Sequence, residues 1–166
     1  KLSEAEIVIR KALKINPNYL EAKINLDEII KTRIPRWHIP MMNDFLRNEK
    51  YLKAIEAAID EKDYVLEIGT GSGLLSMMAV SSGAEKVTTC EVCKPISDIA
   101  KKIISRNGFS NKINVINKKS TELVVGIDLE KKADLIISEI LSSEFVGEGV
   151  QTSIADANMR LLKDKG

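Results

Sequence analysis

The chain carries one histidine, one tryptophan and two cysteines in 166 residues. It has no apolar run near the roughly 20 residues that a spanning helix needs. Its start lacks the apolar core of a signal peptide, so neither a helical membrane span nor a membrane partner is expected. Cys90 and Cys93 form a single C-x-x-C without a second pair or a neighbouring histidine. That excludes the usual zinc spacings, and no metal site is expected. Cys90 falls at the end of an apolar run, where a thiol behaves as a small hydrophobe. Sparing cysteine use fits a reducing, intracellular setting, cytoplasmic or nuclear. A net charge of +1 gives no electrostatic case for nucleic acid as a direct partner. The chain starts at Lys1 rather than Met and stops at Gly166, which reads as an excerpt of a longer chain. What is present, 44% hydrophobic and 30% charged residues, is ordinary for a globular domain with one full core.

The most informative stretch is Val65-Leu66-Glu67-Ile68-Gly69-Thr70-Gly71-Ser72-Gly73-Leu74-Leu75. An apolar run ends in alternating glycines and a helix-prone segment follows. Glycine permits the tight turn and leaves no side chain between backbone and ligand. Further strand-like runs over 86–91, 112–116 and 133–138 join the first at 64–68. Helical segments over 74–81 and 95–107 lie between them, the second with Pro95 at its start and Gly108 past its end. This alternation predicts an α/β fold with a doubly wound parallel sheet, its ligand site at the carboxyl ends of the strands.

Glu91 ends the second strand, where an acid can accept both hydrogen bonds of a ribose diol. A dinucleotide loop wants a third glycine or alanine where this chain has Leu74. Glu67 at the mouth of the first strand suits an ammonium better than a pyrophosphate. Both features favour S-adenosylmethionine over a nicotinamide dinucleotide. At the end of the fourth strand stand Glu139 and, a short way on, Glu148 between Gly147 and Gly149. One acid leaves a strand end directly, and the other sits where the chain can bend sharply.

Ahead of the sheet, residues 35–60 are expected to form lid helices. Asp44 and Arg47 there can share a helix face, and Arg47 is a candidate to hold a carboxylate with its planar fork. His38 and Met41 belong to the same segment. Tyr51, Leu52, Ile55, Ala58 and Ile59 give an apolar stripe leading to the first strand. Residues 1–34 read as helical: Ala5, Ile9 and Ala12 on one face, Pro17 closing the segment, Ala22 and Leu26 opening another. The spacing matches the second helix of a tetratricopeptide repeat followed by the first helix of the next, a module that presents a groove to partner peptides. A plain helical hairpin is the alternative. The domains expected are thus 1–34, 35–60 and 61–166.

From about Arg36 to Gly166 the chain resembles a protein arginine methyltransferase. The resemblance rests on His38-x-x-Met41-x-x-Asp44-x-x-Arg47, the Glu67-x-Gly69-x-Gly71-x-Gly73 loop, Glu91, and the Glu139/Glu148 loop. The sheet segment is most similar to the monomethylating member, and the front to the repeat-bearing member that makes symmetric dimethylarginine. The resemblance implies a class I S-adenosylmethionine-dependent methyltransferase acting on arginine in protein substrates. Glu139 and Glu148 would hold the guanidinium, and Arg47 the methionine carboxylate of the cofactor. Gly69 and Gly71 would admit its backbone approach, Glu67 would face its amino-acid end, and Glu91 would take the ribose. Ser120 and Thr121 would lie near the adenine, and His38, Thr70 and Val92 would complete the cofactor's surround. Met41 and Asp44 would stand on the substrate side. The family adds a C-terminal β-barrel that these residues do not include, so catalysis by them alone is not expected. A small-molecule methyltransferase on the same sheet and a non-catalytic, cofactor-binding adaptor are the rival expectations.

Overall fold

The computed structural model describes residues 2–33, 38–141 and 149–164. The chain divides into two compact units, Lys1–Asn43 and Asp44–Gly166.

In the first unit, α1 (Leu2–Ile15) and α2 (Leu20–Arg33) pack on one another, and α3 (His38–Met42) is a short helix. Pro17 cannot continue α1. The Asn16 side chain accepts the Asn18 backbone N–H at 3.0 Å, which closes the turn. Ala22 is buried, and Ile9, Ala12, Leu13 and Leu26 are half-buried. Ala5, one turn before Ile9 on the same helix, is exposed. Ile7, Val8, Ile15, Leu20 and Ile24 are also exposed.

The second unit opens with α4 (Phe45–Ala58), whose N-cap is Asp44: its carboxylate accepts the Arg47 N–H at 3.0 Å. The rest alternates strand and helix: β1 (Tyr64–Ile68), α5 (Leu74–Ser81), β2 (Lys86–Cys90), α6 (Lys94–Arg106), β3 (Ile113–Ile116), the 3₁₀ turn η1 (Ser120–Glu122), β4 (Leu135–Ser138) and α7 (Val150–Arg160). The four strands form one parallel sheet in the order β3-β2-β1-β4. Expected and observed elements agree to within two residues. The largest shift is at β4, because Ala133 makes an isolated bridge to Leu162 instead of joining the β1 ladder.

Strand alternation sorts the side chains onto two apolar faces. Val65, Val87, Ile113, Val115 and Ile137 pack with residues of α4, α5 and α6. Tyr64, Leu66, Ile68 and Cys90 pack with Leu123, Leu129, Ala157 and Leu161 on the other side. A sheet buried on both faces is what a parallel, doubly wound arrangement requires. Its backbone cannot shift without opening one core or the other, so the loops at the strand ends are held on a stiff base.

Candidate active site

The carboxyl end of β1 feeds directly into the glycine loop. Gly69, Gly71 and Gly73 all have positive φ, at +87°, +53° and +83°. At Gly69 a Cβ would sit 2.5 Å from Cγ2 of Ile140, so glycine is demanded by space as well as by conformation. The N–H groups of Gly69 and Thr70 both donate to the Cys90 carbonyl, at 3.0 and 3.1 Å, which ties the loop to the end of β2. The Thr70 hydroxyl shares a 2.7 Å hydrogen bond with the Thr89 hydroxyl, and Thr70 is buried. Its side chain is therefore engaged beneath the loop, while its backbone N–H and carbonyl are engaged with the Cys90 carbonyl and the Gly73 N–H.

Glu67 is fully buried and accepts hydrogen bonds from the hydroxyls of Ser76 and Thr89. Burial pushes its carboxyl up to about 7, against the pull of those hydroxyls and with a smaller push from Glu91. The sequence placed Glu67 at the mouth of the strand. The structure sets its side chain under the loop, joined to the first turn of α5. Ser76 and Thr89 were not singled out in the sequence, since an isolated hydroxyl carries no motif.

Glu91 follows β2 and is half-buried. One of its carboxylate oxygens accepts the Gly71 N–H at 3.2 Å and the other the Cys93 N–H at 2.8 Å. Each oxygen retains a lone pair for a further donor. Val92 beside it is exposed. Asn117, unmarked in the sequence, donates its amide to the carbonyls of Glu91 and Val92 at 2.7 and 3.2 Å. The loop after β3 is thereby laced to the loop after β2. Ser120 in η1 is buried and Thr121 exposed. Cys90 and Cys93 are free thiols, and burial pushes Cys90 up to about 12.

On the other side of β1, Glu139 emerges from the end of β4. Its carboxylate meets the Arg47 guanidinium at 2.5 Å. The two side chains are 13% and 20% exposed, so this pair is mostly out of water. Arg47 also donates to the Asn48 side chain at 2.9 Å and lies over the Tyr51 ring, 4.9 Å from its centroid. Tyr51, expected only as part of an apolar stripe, is thus also a platform for the pair; desolvation and then Glu139 raise its pKa. Two residues to which sequence reading gave different ligands hold each other. Asp44 is exposed and spent on capping α4. His38 and Met41 fall in the first unit, in α3, where Met41 is half-buried. Glu148 lies outside the described residues.

The strand-end edge therefore offers a glycine loop with approachable backbone, a carboxylate with spare acceptor capacity, and a carboxylate already closed around a guanidinium. The donor set fits S-adenosylmethionine, since Glu91 can accept diol hydroxyls.

A family model described as ribosomal protein L11 methyltransferase (PrmA) matches residues 49–165. Protein arginine N-methyltransferase 7 of Danio rerio is 45% identical over 131 residues, 74% of this chain and 19% of that protein. The arginine N(omega)-methyltransferase of Streptomyces achromogenes subsp. streptozoticus is 42% identical over 139 residues, 84% of this chain and 38% of that one. The solved Trypanosoma brucei PRMT1 enzyme–prozyme heterotetrameric complex with AdoHcy superposes with a TM-score of 0.70 and 28% identity, over 77% of this chain and 39% of that one. The chain thus spans well under half the length of these relatives.

Proposed function

We infer that this chain, which belongs to the family described by the ribosomal protein L11 methyltransferase (PrmA) model, is part of a protein arginine N-methyltransferase and that its activity is arginine methylation. The reaction proposed is methyl transfer from S-adenosylmethionine to a guanidinium nitrogen of arginine in a protein, giving mono- or symmetric dimethylarginine and S-adenosylhomocysteine. One observation carries this reading beyond the family name. The Glu139 carboxylate, on the same strand edge as the glycine loop, already accepts a guanidinium, that of Arg47.

When bound, S-adenosylmethionine supplies an electrophilic methyl group on a sulfonium. The backbone of Gly69 and Gly71 would border it, Glu91 would take its ribose hydroxyls, and Ser120 and Thr121 would stand at its adenine. Thr70 would border it within the loop, Val92 would contribute surface, and the resemblance adds His38 to the cofactor's surround. Glu67 would act from below, by holding α5 against the loop. Arg47 would exchange Glu139 for the carboxylate of the cofactor, which frees Glu139 for substrate. Glu139 and Glu148 would then grip the substrate fork and draw positive charge away from the nitrogen facing the methyl group. Arginine stays protonated in proteins and its lone pairs are delocalised, so localising that charge is the chemical task. Positioning supplies the rest, worth about 7–11 kcal/mol in well-oriented systems. Met41 and Asp44 would stand on the substrate side.

For the first unit the proposal is a tetratricopeptide-like helix pair that binds a protein partner. Its exposed apolar residues, Ile7, Val8, Ile15, Leu20 and Ile24, are what a stacked neighbour would cover. An intracellular setting completes the proposal.

Mass spectrometry of arginine peptides incubated with the full-length enzyme and S-adenosylmethionine tests it. A mass gain of one or two methyl groups on arginine is expected. Methylation only of a small molecule or of a non-arginine acceptor, retained in Glu148→Gln, would overturn it.

A further inference from the structure

Arg160, the last residue of α7, drew no attention in the sequence and has no part in methyl transfer as proposed above. Its guanidinium is nevertheless among the most fully engaged groups in the molecule. On one side it makes a two-pronged contact with Asp156, Nε to Oδ1 at 2.7 Å and Nη2 to Oδ2 at 2.6 Å. On the other it faces three backbone carbonyls of η1 and the residue after it. Nη1 donates to Leu123 O at 2.9 Å, and Nη2 to Thr121 O at 3.2 Å and Ser120 O at 3.5 Å.

A 3₁₀ turn of three residues leaves most of its carbonyls without partners in the turn itself, and its backbone is correspondingly easy to displace. Here Glu122 N returns to Lys119 O at 3.0 Å and Leu123 N to Ser120 O at 3.2 Å, so the turn is closed by two such bonds. The fully buried Leu123 and Leu161 fix the underside of the turn, and Arg160 fixes its carbonyl face. Asp156 holds the fork in plane so that the remaining N–H groups point at those carbonyls. The turn leaves the carboxyl end of β3, and Asn117, between strand and turn, is tied to the Glu91 and Val92 carbonyls. It thus belongs to the same edge as the glycine loop.

We propose that Arg160 is a positioning residue for the adenine end of the cofactor site: it holds the backbone of the Ser120–Glu122 turn where that backbone can read the base. The proposal rests on the cofactor reading above. Backbone readout of a purine depends on placement to a few tenths of an ångström, since hydrogen bonds weaken steeply off geometry. A positioning role therefore predicts loss of base discrimination, whereas a merely structural role predicts equal weakening toward any nucleoside.

The test is isothermal calorimetry on the full chain with two probes, S-adenosylhomocysteine and S-inosylhomocysteine, which differ at one edge of the purine. Both affinities are measured on one preparation, so loss of folded protein changes the stoichiometry and leaves their ratio alone. The wild-type chain is expected to prefer the adenosyl probe. R160M is expected to bind that probe about tenfold more weakly and the inosyl probe almost unchanged, which collapses the preference. R160K, which keeps the charge but loses the fork, should fall between, and covers the case in which R160M fails to fold. D156N should move the ratio in the same direction by less. An unchanged ratio in R160M and R160K overturns the proposal. A wild-type chain that binds neither probe overturns the cofactor reading itself, and that failure is visible before any variant is made.

Discussion

The two sides of the strand edge hold their carboxylates by opposite means. On the glycine-loop side, neutral donors do the holding: hydroxyls for Glu67, backbone N–H groups for Glu91. On the β4 side, Glu139 is held by a full positive charge. A carboxylate held by neutral donors keeps its charge to offer, or can take up a proton if burial is severe enough. One held by a guanidinium has its charge largely neutralised until that cation is replaced, and breaking a pair mostly out of water is costly unless a like group takes its place. The difference suits the two proposed tasks. The donor side must be ready before anything binds, and the acceptor side should respond only to another guanidinium.

The largest effect expected from breaking this contrast is at Glu139. Glu139→Gln should lower turnover of an arginine peptide by the full-length enzyme on the order of 10³-fold, the loss typical of one preorganised electrostatic partner. Initial rates at saturating cofactor check it. Next comes Gly69→Ala. A left-handed backbone and a Cβ placed 2.5 Å from Ile140 should together destabilise the chain by about 3 kcal/mol in urea titration and abolish binding of S-adenosylhomocysteine. Adding Ile140→Ala should recover part of the stability.

Glu67 sharpens the comparison through pH. Its folded-state pKa, about 7, lies above the ordinary 4.5, so the folded chain binds this proton more tightly than the unfolded chain does. The stability it contributes is present below about pH 4.5 and is lost as pH rises through about 7. Glu67→Gln removes that titration. Relative to wild type, the variant should gain up to about 3 kcal/mol between pH 5 and pH 8, read by urea denaturation at both. The smallest effect is expected at Glu91, where Glu91→Gln keeps an acceptor and loses the charge. About tenfold weaker binding of S-adenosylhomocysteine by calorimetry is expected, with a stability loss of about 1–2 kcal/mol because one of the Gly71 and Cys93 N–H groups then faces an amide NH2.

Much of the sheet unit was legible because its signals are local. Alternating apolar runs gave β1 to β4, and α5 fell at 74–81 as expected because glycines bracket it. The glycine loop and Glu91 could be placed at strand ends from sequence spacing alone. Partnerships could not be read this way. Arg47 and Glu139 are each recognisable, yet their contact joins a helix before the sheet to its last strand, and no periodicity encodes such a pairing. The surroundings of Glu67 were illegible for a simpler reason. Strand alternation says which face a side chain takes, not whether neighbouring hydroxyls will close over it. Arg160 shows the same limit: its pairing with Asp156 is a one-turn helical step, whereas its contact with η1 exists only once β3, η1 and α7 are folded together.

The Gly71 N–H points at the Glu91 carboxylate instead of into a ladder or a helix turn. Its magnetic environment and solvent-exchange rate therefore report on that one carboxylate. A ligand hydroxyl arriving at Glu91 should shift this single backbone resonance while those of Gly69 and Thr70, both anchored on the Cys90 carbonyl, stay in place. The glycine that lets a ligand approach is thus also a spectroscopic marker of its arrival, already present in the unmodified chain.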